Sequence, residues 1–233
     1  METPDISKEQ VVSKTLFSVL FAISFAHLLN DLIQAVIPSV YPILKENYNL
    51  SFTQIGLITF AFQFSASILQ PFVGYYTDKH PKPFSQIYGM VFSLLGIICL
   101  SFANTFSWII LAVCLIGTGS AIFHPESARI SNAASGGKRG LAQSIFQVGG
   151  NFGTALGPLL VALIVAPNSQ KYILWFVIAA VIALGIISKI AYWYRDHLIR
   201  KTHTSTLFFD FHDLTKSRVK WSIVILLVVI FSK

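Results

Sequence analysis

Six apolar runs decide what this chain can fold into. They lie at about 15–43, 53–76, 84–104, 107–129, 140–165 and 171–194. Each is long enough for a helix to cross a hydrocarbon core of about 30 Å, which takes about 20 residues. Inside that core the backbone finds no water, and a helix pairs its own N–H and C=O groups. The reading is an all-α polytopic membrane protein. Only 12% of the residues are charged, against about 25% in an ordinary soluble domain. Pro42, Asn104 and Pro167 mark ends of runs.

The loops set the orientation. With the N-terminus in the cytoplasm, Lys8, Lys14, Lys79, Lys82, Arg129, Lys138, Arg139, Lys189 and the basic residues from Arg195 to Lys220 share one side, and Lys45 and Lys171 take the other. That is the positive-inside arrangement of a multi-pass protein of the cell (inner or plasma) membrane. The net charge of +7 therefore belongs to topology, and with no basic patch interleaved with exposed aromatics no nucleic-acid partner is expected. Lys14, the apolar stretch Thr15–Phe25 and Ser24-Phe25-Ala26 resemble a signal peptide, but the apolar character resumes after Asp31 as far as Leu44, so the first run reads as a retained span. Cys99 and Cys114 fall inside apolar runs and read as buried thiols, not as a disulfide or metal framework.

The chain divides on this reading into a cytoplasmic tail (1–14), a six-helix bundle (15–194), a cytoplasmic linker (195–219) and the start of a seventh span (220–233). The linker holds LFFDFHDL, Leu207 to Leu214, read either as an interfacial helix with Phe208, Phe209 and Phe211 toward lipid or as irregular chain. The seventh run offers about a dozen residues, or about 18 Å of helix, short of a crossing; the expectation is the front half of a longer protein. Spans 1–3 and 4–6 form two units of opposite direction, as in inverted-repeat transporters.

Polar residues inside the runs carry the function. The first span places His27, Asn30, Asp31 and Gln34 three and four residues apart, on one helix face. A charged Asp mid-membrane costs about 2.5–3.5 kcal/mol on insertion scales, so such a face lines a cavity or locks helices together, and intramembrane acids mark proton paths. The fourth span carries His124, Pro125 and Glu126; Pro125 frees a carbonyl one turn back, as in the broken helices of transporter sites. Asp31, Glu126 and His124 are the candidate proton-coupling groups, and Glu126 and Arg129, at i and i+3, are alternatively a structural pair. Thr59, Gln63, Ser67 and Gln70 on the second span, and Gln143, Gln147, Asn151 and Thr154 on the fifth, complete the polar stripes. His27, Asn30, Gln34, Gln63, Gln147, Asn151 and Arg129 are the candidate cavity lining. Gly149, Gly153 and Gly157, four apart, make a flat strip that admits another backbone. No nucleophile–base pair, metal cluster or phosphate loop is present, and Gly149-Gly150-x-x-Gly153 follows no strand. An enzyme, a metal site and a bound cofactor are not expected.

The order of motifs adds a resemblance. Gly74-x-x-x-Asp78-Lys79-x-x-Lys82, between the second and third spans, resembles the cytoplasmic signature loop of the major facilitator superfamily. Gly153-x-x-x-Gly157-Pro158 resembles its antiporter motif, and Gly117-x-Gly119-x-Ala121 the end of a third motif, although Val113 stands where an Arg is usual. With HLLNDLIQAVIPSVYPILK (His27 to Lys45), TDKHPKP, FHPESAR (Phe123 to Arg129) and LAQSIFQVGGNFGTALGPLL (Leu141 to Leu160), nearly the whole chain resembles the bacterial fosmidomycin resistance efflux branch. That resemblance implies twelve helices in two halves, of which this chain is the N-terminal one, and alternating access around a small-molecule substrate. It also implies drug export driven by the proton gradient, with no other cofactor. Gly74, Asp78, Lys79 and Lys82 would form a cytoplasmic gating latch, with Asp78 held by Lys138, Arg139 or a helix N-terminus. Gly153, Gly157 and Pro158 would shape the face that meets the missing half. A passive metabolite facilitator and an inactive or partner-requiring half are the rival readings.

Overall fold

The computed structural model describes residues 14–203, 220–222, 224 and 225. It divides into two compact units, Met1–Asp196 and His197–Lys233. In the second, the end of the last long helix and residues 220–222, 224 and 225 are helical; Leu207–Leu214 lies outside the described residues. Among residues 14–203, seven α-helices follow in order: α1 Phe17–Ser39, α2 Tyr41–Tyr48, α3 Phe52–Lys79, α4 Ser85–Phe102, α5 Phe106–Ala134, α6 Arg139–Leu160 and α7 Phe176–His203. A π-helical turn (Val161–Val165) extends α6, and a 3-10 turn (Gln170–Trp175) leads into α7. Among the described residues, six helices are long and apolar enough to cross a membrane, the fifth and sixth including these turns.

Local chemistry sets the breaks. The first run does not continue unbroken to residue 43: α1 stops at Ser39 and α2 starts at Tyr41. Pro38 and Pro42 each lack an N–H and crowd the carbonyl four residues back. Asn49 closes α2 in the left-handed region at φ 49°, which Asn tolerates. Ser51 and Gln54 then form a reciprocal capping box for α3. Between α5 and α6, Gly136 and Gly137 take φ of 56° and 87°, a turn that side chains with a Cβ adopt reluctantly. The fourth span runs five residues past Arg129, to Ala134, and the sixth continues past Arg195 to His203, the latter through Arg195, Arg200 and Lys201, which form helix well.

Glycines fix the packing order. α1 lies mainly on α6, and α5 lies between α3 and α4 while also touching α1. A Cβ at Gly117 would meet Phe62 and Ser65 of α3, and one at Gly119 would meet Gly89 and Ser93 of α4. Positions 117 and 119 point to opposite sides of α5, so this one helix admits two close neighbours. A Cβ at Gly149, Gly153 or Gly157 would run into Ser24, Leu28 and Ala35. The strip expected to face the missing half therefore faces α1, inside this bundle. The reason is complementary: the α1 surface opposite is small or backbone, which is what a glycine strip requires.

Candidate functional site

Two polar clusters lie within the spans, on different sides of α5. The first is built on α1. His27 is buried, and its ring stacks on Phe146 of α6 at 3.9 Å between centroids and 11° between planes. His27 Nδ1 lies 2.8 Å from the Phe146 carbonyl oxygen. Its Nε2 lies 3.1 Å from Asp31 Oδ2, one turn on along the same helix. From α5, His124 Nε2 approaches Asp31 Oδ1 to 3.6 Å, its ring edge-on to His27 with centroids 5.1 Å apart. Asn30 Nδ2 and Gln34 Nε2 each donate to Asp31 Oδ1 at 3.1 Å. Ser120 Oγ donates to Gln34 Oε1 at 2.9 Å, which orients the amide so that its N–H groups face Asp31 and, at 3.4 Å, His124 Nε2. The buried Asn30 Oδ1 has no partner among the described residues.

This arrangement depends on Gly150. A Cβ there would lie 2.7 Å from His27 Nε2 and 2.8 Å from Asp31 Oδ2, inside the space the pair occupies. The ligand-capable atoms of His27, Asp31 and His124 all lie within 4.8 Å of one another, so these are the residues that a cation would address. The Gln34 amide hydrogens point into the gap between Asp31 and His124, which suits a hydrogen-bonded network better than an ion needing lone pairs on every side.

The second cluster ties α5 to the end of α3. Arg129 Nη1 donates to Glu126 Oε1 and Nη2 to Asp78 Oδ1, both at 2.5 Å, and Nη2 also reaches the Gly74 carbonyl at 3.5 Å. The Glu126 side chain is 1% exposed and that of Asp78 71%, so one guanidinium joins a buried carboxylate to a surface one. The cation on Asp78 is thus Arg129, one helix away from the expected Lys138 and Arg139. Lys79 Nζ sits 2.5 Å from the Tyr75 hydroxyl and over its ring, and the Lys82 side chain is exposed.

The sequence-derived residues therefore divide. His27, Asn30, Asp31, Gln34 and His124 come together. Glu126, expected in the proton-coupling group, does not join them: it stands two positions from His124, on another side of α5, and pairs with Arg129, which was expected in the cavity lining. Gln147 donates to Asn151 at 3.2 Å, and these two and Gln63 are exposed. Sequence reasoning missed Ser120, Phe146 and Gly150. Gly150 was visible only as a glycine off the four-residue repeat, within Gly149-Gly150-x-x-Gly153, and the Phe146 carbonyl leaves no mark in a sequence.

The chain matches the Major Facilitator Superfamily over residues 23–232. It is 48% identical over 222 residues to the fosmidomycin resistance protein of Escherichia coli (strain K12), covering 95% of this chain and 54% of that protein. It is 47% identical over 194 residues to YfnC of Bacillus subtilis (strain 168), an uncharacterized MFS-type transporter, covering 82% of this chain and 47% of the relative. The chain thus spans about half the length of both relatives. Among solved structures, the peptide transporter POT aligns over 98% of this chain and 49% of its own, with a TM-score of 0.65 at 16% identity. A bacterial homolog of the human lysosomal transporter Spinster aligns over 75% and 42%, with a TM-score of 0.60 at 18% identity. At these identities the structural likeness concerns the fold.

Proposed function

Because the chain belongs to the major facilitator superfamily, we propose that it serves as the N-terminal six-helix half of a proton-coupled exporter of fosmidomycin-like drugs, working by alternating access against a second half. The observation that carries the reading is the polar knot of His27, Asp31 and His124 inside the spans. Titratable groups there are costly and mark coupling paths. In this reading Asp31 and the two histidines against it, His27 and His124, handle the proton. Asn30 and Gln34 line the wall they share, and the substrate docks against the exposed polar faces that carry Gln63, Gln147 and Asn151. Arg129, Glu126, Asp78 and Gly74 form the latch between α3 and α5, with Lys79 and Lys82 beside it. The latch fixes one conformation by charge pairing and opens when the halves rock. The resemblance in sequence to a fosmidomycin resistance protein supports the substrate class. The protein works in the cell membrane with its N-terminus in the cytoplasm, the side to which the loop charges point.

A half that requires its partner is the second reading, favoured by the exposure of Gln63 on α3 and of Gln147 and Asn151 on α6. Expression in a fosmidomycin-sensitive host, alone and together with the second half of the Escherichia coli relative as a separate polypeptide, separates the readings. Resistance only in the pair supports an exporter half. Resistance in neither, with both chains inserted, contradicts the exporter. A gradient-independent flux supports the passive facilitator.

A further inference from the structure

We propose that the coupling proton resides on His27, as a doubly protonated imidazole held between the Phe146 carbonyl and the Asp31 carboxylate, with Gly150 as the positioning residue. This rests on the proton-coupled reading above and deepens it.

The assignment follows from donor and acceptor accounting. A backbone carbonyl only accepts, so His27 Nδ1, at 2.8 Å from Phe146 O, must carry hydrogen. That leaves Nε2 facing Asp31 Oδ2 at 3.1 Å. A bare nitrogen there would set lone pair against lone pair, whereas a hydrogen on it makes an N–H···O bond of ordinary length. With the hydrogen on the ring, Asp31 accepts on both oxygens, on Oδ1 from the amides of Asn30 and Gln34 and on Oδ2 from Nε2. Among the described residues, the titratable side chains that face the His27 ring are Asp31 on its own helix and His124 on α5. From α6 come the Phe146 ring and carbonyl and the Cα of Gly150.

A divalent metal is the competing cation. Distance does not separate the two: at bond lengths of about 2.0–2.2 Å, tetrahedral ligand atoms stand about 3.4 Å apart, and the two histidine nitrogens stand 3.1 and 3.6 Å from Asp31 oxygens. The Gln34 amide, however, fills the gap with hydrogens. The geometry fits the proton.

The consequence is mechanical. The ring is pressed flat on Phe146 and occupies the volume that Gly150 lacks. When the proton leaves, Nε2 and Oδ2 repel, and the ring has no room to turn unless α1 shifts against α6. Proton loss at His27 is thereby converted into displacement of the first span, through the contact that the glycines make close.

Nitrogen NMR of the chain, labelled in its histidines and held in lipid nanodiscs, reads both ring nitrogens directly, with His27 assigned by difference from His27→Gln. The expected result at neutral pH is hydrogen on both nitrogens of His27, and in Asp31→Asn a bare Nε2 with Nδ1 still protonated. A bare nitrogen in the wild-type ring overturns the assignment, and that spectrum decides alone should Asp31→Asn fail to insert. A wild-type spectrum that Asp31→Asn leaves unchanged also overturns it, as does binding of cobalt(II) with a visible ligand-field band. Gradient-driven flux with a bare His27 removes this inference and keeps the exporter. Flux that ignores the gradient, with His27 doubly protonated, removes the exporter reading and the coupling role of His27 together.

Discussion

Replacing Gly153 by Ala tests whether the helix pair α1–α6 is closed by its glycines. A Cβ at position 153 would stand 2.8 Å from the carbonyl carbon of Leu28 and 3.0 Å from its Cα, closer still to the carbonyl oxygen. Carbon atoms prefer about 3.5–4.0 Å, so the contact is short by about 0.7 Å, and opening a packed seam by 0.5–1 Å forfeits about a quarter to a half of its dispersion energy. The obstructing atoms are backbone and cannot rotate away, so the whole of α1 must retreat. Overpacking of this kind costs about 1–3 kcal/mol. Gly56 is the control, since nothing lies within 4 Å of a Cβ there; Ala at that position gains about 0.4–1 kcal/mol by restricting the unfolded chain. The two single-methyl changes therefore have opposite signs and differ by roughly 1.5–4 kcal/mol. At about 2–4 °C per kcal/mol for a chain this long, the unfolding midpoints should separate by roughly 3–16 °C. Cys99 and Cys114 are free and partly buried, so a thiol-reactive dye reports the melt in detergent. Equal midpoints, or a Gly153→Ala protein more stable than Gly56→Ala, would refute the packing argument.

Arg129→Met strands the buried Glu126 carboxylate and should destabilise by about 3–5 kcal/mol, while Asp78→Asn, on an exposed partner, should cost under about 1 kcal/mol; chemical denaturation of both variants checks the ratio, and equal losses would deny that Arg129 serves the buried acid first. Gly150→Ala drives a Cβ into the His27 ring and the Asp31 carboxylate, so it should abolish gradient-driven flux. A Gly150→Ala protein with wild-type flux would separate the His27–Asp31 contact from function.

The spans were legible because the membrane imposes a length and an apolarity that few other constraints imitate. Helical spacing also grouped His27, Asn30, Asp31 and Gln34, since residues three and four apart share a face whatever lies opposite. What spacing cannot supply is the neighbour. The strip Gly149–Gly153–Gly157 was visible as a strip, but its partner, the small and backbone surface of α1, is set by tertiary packing. The same holds for Asp78. A nearby loop offered Lys138 and Arg139, yet Arg129 reaches it because α3 and α5 lie side by side. Glu126 and His124 looked like one group two residues apart, and helix geometry divided them between two clusters.

The central claim, that Asp31 and its histidines couple a proton to transport, is met most directly by flux in proteoliposomes containing both halves under an imposed pH gradient. Wild-type export should follow the gradient and vanish when it is collapsed, and Asp31→Asn, inserted to the same level, should export none. Gradient-driven export by Asp31→Asn at the wild-type rate would contradict the account.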